Sequence, residues 1–112
     1  MADCLFCGIV QGDVPADIVR QGARTIAFRD VNPQAPTHIL VIPRNHYAGV
    51  TELAADAELL SEVIREAAAV ATDEGLTEGW RLVFNTGSGA GQTVFHVHAH
   101  VLGGRQMKWP PG

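Results

Sequence analysis

Three of the five histidines fall in one stretch, Thr93-Val94-Phe95-His96-Val97-His98-Ala99-His100-Val101-Leu102, at every second position. A β-strand sends successive side chains to opposite faces. The spacing therefore predicts a strand over 93–102 with His96, His98 and His100 on one face and Val97, Ala99 and Val101 on the other. A helix would turn His98 away from its two neighbours, and the β-branched Val94, Val97 and Val101 favour a strand in any case. Imidazoles so placed lie roughly 6–7 Å apart, too close for all three to carry charge cheaply. Three readings stand: polar residues on a wet face, a metal site in which His-x-His offers two imidazoles to one ion, and a nucleophilic histidine flanked by two that position it and stabilise charge at phosphorus.

The preceding segment favours the third reading. Asn85-Thr86-Gly87-Ser88-Gly89-Ala90-Gly91-Gln92-Thr93 is glycine-rich, carries amide and hydroxyl donors and has no charged side chain. Glycines let backbone N–H groups close around an anion, and such concavities bind phosphate. Two familiar phosphate motifs are excluded. No Gly-Lys-Ser/Thr is present for a P-loop, and Gly87-x-Gly89-x-Gly91 lacks the dinucleotide spacing and leads into a strand where that motif needs a helix.

His96-Val97-His98-Ala99-His100-Val101-Leu102 resembles the signature of the histidine triad (HIT) nucleotide-binding family, three histidines alternating with apolar residues. The similarity extends over Phe28–His38, Val41-Ile42-Pro43, Asn85 and the tail Gly103-Gly104-Arg105-Gln106-Met107-Lys108-Trp109-Pro110-Pro111-Gly112, which look like the Hint branch. The resemblance implies an α+β, HIT-like fold: an antiparallel sheet of about five strands with one long and one short helix, a single domain over 1–112, and a homodimer with a continuous sheet. It implies hydrolysis of the P–N bond of purine (adenosine) 5′-phosphoramidates and related nucleotidyl conjugates. His98 is then the nucleophile, with His96 and His100 orienting it and neutralising charge. Asp30 takes the ribose and Val31 packs on the base. Asn85, Gly91, Gln92, Thr93, Val94 and Trp109 join His98 and His100 around the nucleotide. Two other readings remain: a Fhit-like dinucleoside polyphosphate hydrolase, which shares the triad but not this tail, and a nucleotide-binding regulator with incidental turnover. Uridylyltransferases carry glutamine where His100 stands.

Cys4-Leu5-Phe6-Cys7 offers either two small buried residues or half of a tetrahedral zinc site. Some relatives hold structural zinc with such a pair and two histidines, matched here by His46 and His96, while others need no metal. The resemblance requires no cofactor for catalysis.

The rest of the chain is consistent with one globular domain of 112 residues, 46% hydrophobic and 18% charged. A net charge of −4, with no Lys/Arg cluster, argues against nucleic acid as a partner. No apolar stretch is long enough to span a bilayer and Met1-Ala2-Asp3-Cys4 lacks a basic leader, so a cytoplasmic protein with reduced cysteines is expected. Strands are expected at 16–20 and 25–29, joined by a turn at Gly22, and at 38–42, nearly all apolar and hence central. A further strand is expected at 80–85. Leu59, Leu60, Val63, Ile64, Ala67, Val70 and Ala71 recur at helical spacing, predicting one long helix over 56–74, capped by Asp56 and ended by Gly75.

Overall fold

The seven residues of strand β3 (Thr37–Pro43) are all buried, and the molecule is layered on both sides of them. The computed structural model describes residues 4–112; Met1–Asp3, read above for a leader, lie outside the described residues. In chain order the elements are helix α1 (Leu5–Gln11), strands β1 (Ile18–Gln21), β2 (Thr25–Arg29) and β3, helices α2 (Val50–Leu53) and α3 (Ala57–Asp73), and strands β4 (Trp80–Val83) and β5 (Ala99–Gly103). The strands form one sheet in the order β1-β2-β3-β5-β4, with every neighbouring pair antiparallel. The expected α+β class and five-stranded antiparallel sheet are therefore present.

Alternation along the strands divides the core in two. Ala27, Ile39, Val41, Ala99 and Val101 face α3 and meet Leu59, Val63, Ala67, Val70 and Ala71. Ile26, Phe28, Leu40 and Ile42 face the other way and meet Phe6 and Ile9 of α1. Each large apolar side chain removed from water on these faces stabilises the fold by about 1.5–3 kcal/mol. The α3 stripe is the one expected, except that Ile64 is 42% exposed and lies off it. Asp56 caps α3 by accepting the Leu59 N–H at 3.1 Å. Gly75, with φ +71°, follows the helix. Arginines on β1 and β2 tie the sheet to α3: Arg20 pairs with Glu66 and Asp73, and Arg29 makes a two-pronged bond to Glu74 at 2.9 and 3.0 Å. Such partly exposed pairs contribute about 0.2–1 kcal/mol each and fix orientation more than stability.

The expected strand over 93–102 is shorter than the alternation suggests. The β5 ladder begins at Ala99, opposite Val41. Ahead of it, 93–96 lie beyond the end of β3 at Pro43 and the Val97 N–H turns to the Tyr47 carbonyl at 2.7 Å, so 93–98 run as irregular chain. Inward alternation still holds, with Val97 joining Ala99 and Val101 in the α3 core. β4 ends at Val83, opposite His100, leaving Asn85 in the loop beyond an expected 80–85 strand. The hairpin strand expected at 16–20 occupies 18–21. Neither the short α2 nor the 3-10 turn Ser88–Ala90 within the glycine-rich loop was expected.

Candidate active site and metal cluster

Backbone groups decide which nitrogen of each site histidine carries a proton. The carbonyl of His96 lies 2.8 Å from His98 Nδ1. A carbonyl only accepts, so Nδ1 carries the hydrogen and Nε2 of His98 keeps a free lone pair. Burial holds the His98 ring below the usual histidine range, and it is neutral at pH 7. Behind it, the Phe6 ring stands edge-on with centroids 5.1 Å apart and is braced against Phe28 at 5.3 Å.

The opposite polarity reaches His100. The Gln34 N–H donates to His38 Nδ1 at 3.0 Å, which places the His38 hydrogen on Nε2. That Nε2–H donates to His100 Nδ1 at 2.9 Å, with Asp30 Oδ2 nearby at 3.4 Å. His100 is therefore protonated on Nε2, a buried atom with no hydrogen-bond partner among the described residues. Two neighbouring rings, 4.9 Å between centroids, thus present an unprotonated nitrogen on His98 and an N–H on His100. Burial first, then the neighbouring His98 and His38, pulls the His100 pKa down to about 4.

His96 differs from the expectation of a shared histidine face. It is fully buried and donates Nε2–H to the Pro43 carbonyl at 2.9 Å, turning Nδ1 toward Cys4 Sγ at 3.4 Å and Cys7 Sγ at 3.5 Å. Cys7 Sγ is also 3.4 Å from His46 Nδ1, and one ligand atom from each of Cys4, Cys7, His46 and His96 lies within 4.8 Å of the others. With Zn–S near 2.3 Å and Zn–N near 2.0–2.1 Å, a tetrahedral ion would hold S and N about 3.5 Å apart, so the donor set and its edges fit zinc. Both cysteines are free thiols, and burial together with Cys4 pushes the Cys7 thiol up.

A second cluster, Asp30, His38 and His100, has ligand atoms equally close. Its hydrogen bonds oppose metal binding. With Gln34 N–H on Nδ1, the only proton of neutral His38 sits on the Nε2 that would have to ligate, so the cluster is a hydrogen-bond relay.

The remaining expected nucleotide residues are held in different ways. Asp30 Oδ1 accepts the Asn32 N–H at 2.8 Å, which holds the carboxylate at the β2–β3 bend. Val31 is completely exposed, and Trp109 is 81% exposed on a tail anchored by Arg81 Nη2 to the Lys108 carbonyl at 2.9 Å. Asn85 Nδ2 lies beside Gly91, whose φ of +92° closes the 3-10 turn in a conformation glycine adopts without strain. Val94 packs on the Phe6–Phe28 side of the core, while Thr93 is exposed. Gly91 and Gln92 depart from their expected use, because their N–H groups go to Ser88 O at 3.0 Å and Gly87 O at 3.1 Å. A concavity of about 540 Å³ lies away from the triad, between β4 and the tail, lined by Leu76, Trp80, Arg81, Arg105 and Met107. Sequence reading missed His38 and Phe6. A signal for His38 was available: it is the one titratable residue in a strand that is apolar from Ile39 to Pro43.

The HIT domain profile matches residues 11–107, and the chain belongs to the HIT family. It is 50% identical over 111 residues to an uncharacterized HIT-like protein of Synechococcus elongatus, covering 98% of this chain and 97% of that protein. It is 46% identical over 112 residues to a 14 kDa zinc-binding protein of Zea mays, covering 96% and 87%. A HIT family hydrolase from Legionella pneumophila superposes with a TM-score of 0.94 at 52% identity, covering 98% of this chain and all of that one. The fold is that of HIT family hydrolases, and a Cys/His cluster fit for zinc accompanies it.

Proposed function

We propose that the chain is a Hint-branch hydrolase acting on purine nucleoside 5′-phosphoramidates. The observation that carries this reading is the opposed pair of ring nitrogens: His98 Nε2 unprotonated, His100 Nε2–H unpartnered. Asp30 receives the ribose hydroxyls, as an acceptor-only carboxylate can, and exposed Val31 receives the base. The α-phosphate lies between the glycine-rich loop and the rings. His98 Nε2 attacks phosphorus, forming a P–N bond to the ring and breaking the P–N bond to the amine. The electron pair goes to the amine, which leaves with a proton drawn from solvent while His100 Nε2–H stabilises the charge being transferred. Water then attacks phosphorus, breaks the bond to His98 and releases the nucleoside monophosphate. No step uses a metal.

The Cys4–Cys7–His46–His96 cluster takes structural zinc in a reducing, cytoplasmic setting, where it ties α1 and the segment after β3 to the chain leading into β5. Two copies pair through the free edge of β4, where Trp80 is 36% exposed, and extend the sheet. The tail, stiffened by Pro110 and Pro111, carries Trp109 to the nucleotide site. It is also what favours a phosphoramidase over a dinucleoside polyphosphate hydrolase.

The test is brief mixing with an adenosine 5′-phosphoramidate followed by mass spectrometry of wild type and His98→Ala. An adenylate adduct on wild type and its loss, with turnover, in His98→Ala is the expected result. Normal turnover by His98→Ala would show that the middle histidine is not the nucleophile.

A further inference from the structure

Gln92 ends the glycine-rich loop four residues before His96 and turns its side chain into the protein, and we infer that it is a positioning residue: an internal strut that sets the curl of the phosphate loop. The inference rests on the nucleotide reading above.

Gln92 is only 4% exposed, and both ends of its amide are used within the protein. Oε1 accepts the Gly87 N–H at 2.9 Å, while Nε2 donates to the Ala48 carbonyl at 2.7 Å and the Val94 carbonyl at 3.1 Å. A single side chain thus joins the start of the glycine-rich loop, its exit, and a segment 44 residues away in sequence. That segment is itself fixed, since Tyr47 O takes the Val97 N–H and His46 belongs to the Cys/His cluster. The strut therefore bolts a loop with three glycines between Asn85 and Gln92 to the rigid wall behind the triad.

The consequence for the ligand is selective. The N–H groups of Gly87, Ala90, Gly91 and Gln92 are all turned inward, onto Gln92 Oε1 and the loop's own carbonyls. Those of Thr93 and Val94, immediately after the strut, take no such acceptor among the described residues. Gln92 contributes nothing directly to an anion. It fixes where Thr93 and Val94, in the segment leading to the triad, present their N–H groups. Losing the strut should weaken the grip on phosphate while leaving the nucleoside contacts at Asp30 and Val31 unaltered.

Two variants test this. Gln92→Glu keeps the shape but sets a carboxylate oxygen against the Ala48 and Val94 carbonyls, and Gln92→Met keeps most of the volume without hydrogen bonding. Both are measured for AMP and adenosine affinity by calorimetry, and for hydrogen exchange at the Gly87 amide, at a temperature where each is folded. The expectation for both is AMP affinity down by about tenfold or more with adenosine affinity unchanged within about twofold, and for Gln92→Met, which has no acceptor for the Gly87 N–H, Gly87 exchange faster by about tenfold. A merely structural glutamine would lower stability without moving the AMP-to-adenosine ratio. An unchanged ratio, or a Gly87 amide still protected in Gln92→Met, overturns the inference; should the glutamate variant not fold, the methionine variant decides alone. Wild type that binds AMP through the strut but does not hydrolyse the phosphoramidate sinks the catalytic proposal and leaves this one standing. Wild type that fails to bind AMP sinks both.

Discussion

Acid should destabilise this protein through His100 before its carboxylates titrate, and the structure gives the size of the effect. His100 Nδ1 accepts the His38 Nε2–H at 2.9 Å, so a second proton on His100 would set two donors against each other in a buried place. Its pKa in the fold is lowered from 6.5 to about 4. Between those values the unfolded chain binds the proton and the folded chain does not. Stability therefore rises with pH across this window and is lost as pH falls from 6.5 toward 4. At about 1.4 kcal/mol for each tenfold the ceiling is about 3.4 kcal/mol, and partial solvent access to the ring reduces it to about 2 kcal/mol. For a chain of this size that is a fall of several degrees in Tm. Urea unfolding at about pH 7 and about pH 4.5, on wild type and His100→Gln, measures it. The variant should lose about 2 kcal/mol less than wild type across the interval. Equal losses in the two proteins would show that the relay polarity drawn from Gln34 through His38 is wrong.

Replacing Cys7 by Ser, or dialysis against a chelator, should release about one equivalent of zinc and lower Tm by about ten degrees or more, because a metal bound only by the folded state stabilises it directly. Metal analysis and calorimetry check this; protein purified without zinc and indifferent to Cys7→Ser would leave the cluster as packed thiols and imidazoles. For the assembly, Trp80→Glu on the β4 edge should shift sedimentation from dimer to monomer at micromolar concentration, and a monomeric wild type would end the continuous-sheet reading.

Much of the fold was legible because its signals are local. The α3 stripe, the Asp56 cap and the unbroken apolar run of β3 each follow from periodicity or from one side chain, and they were placed to within a residue or so. The start of β5 was not legible. Alternation from Thr93 to Leu102 is real, but a strand also needs neighbours, and nothing local to this stretch says that β3 stops at Pro43 and β4 at Val83. His96 shows the same limit from the side of chemistry. It shares the parity of His98 and His100, yet without a ladder to hold its backbone its ring turns to the cysteines and the Pro43 carbonyl. Gln92 shows a related limit: a donor-bearing side chain in a glycine-rich loop reads as a ligand contact, while here its amide is taken by the Gly87 N–H and the Ala48 and Val94 carbonyls.

The polarity of the site follows from atoms that carry no side-chain identity. One carbonyl, that of His96, leaves Nε2 of His98 unprotonated, and one amide N–H, that of Gln34, propagates through His38 to make His100 a donor. A second carbonyl, that of Pro43, turns His96 Nδ1 to the thiols. A neutral imidazole has a single proton, so each of these backbone bonds is decisive: reversing any one exchanges donor for acceptor at the far nitrogen. The bend that supplies the Gln34 N–H is set by Pro33 and Pro36 and is tied to the tail by Arg105 Nε, which donates to the Gln34 carbonyl at 3.1 Å. The physical requirement at position 34 is accordingly for an N–H held in that bend, which proline lacks and other residues supply, rather than for the glutamine side chain. Three histidines in a motif provide the rings, and the turn geometry around them decides which nitrogen keeps a free lone pair and which carries a hydrogen.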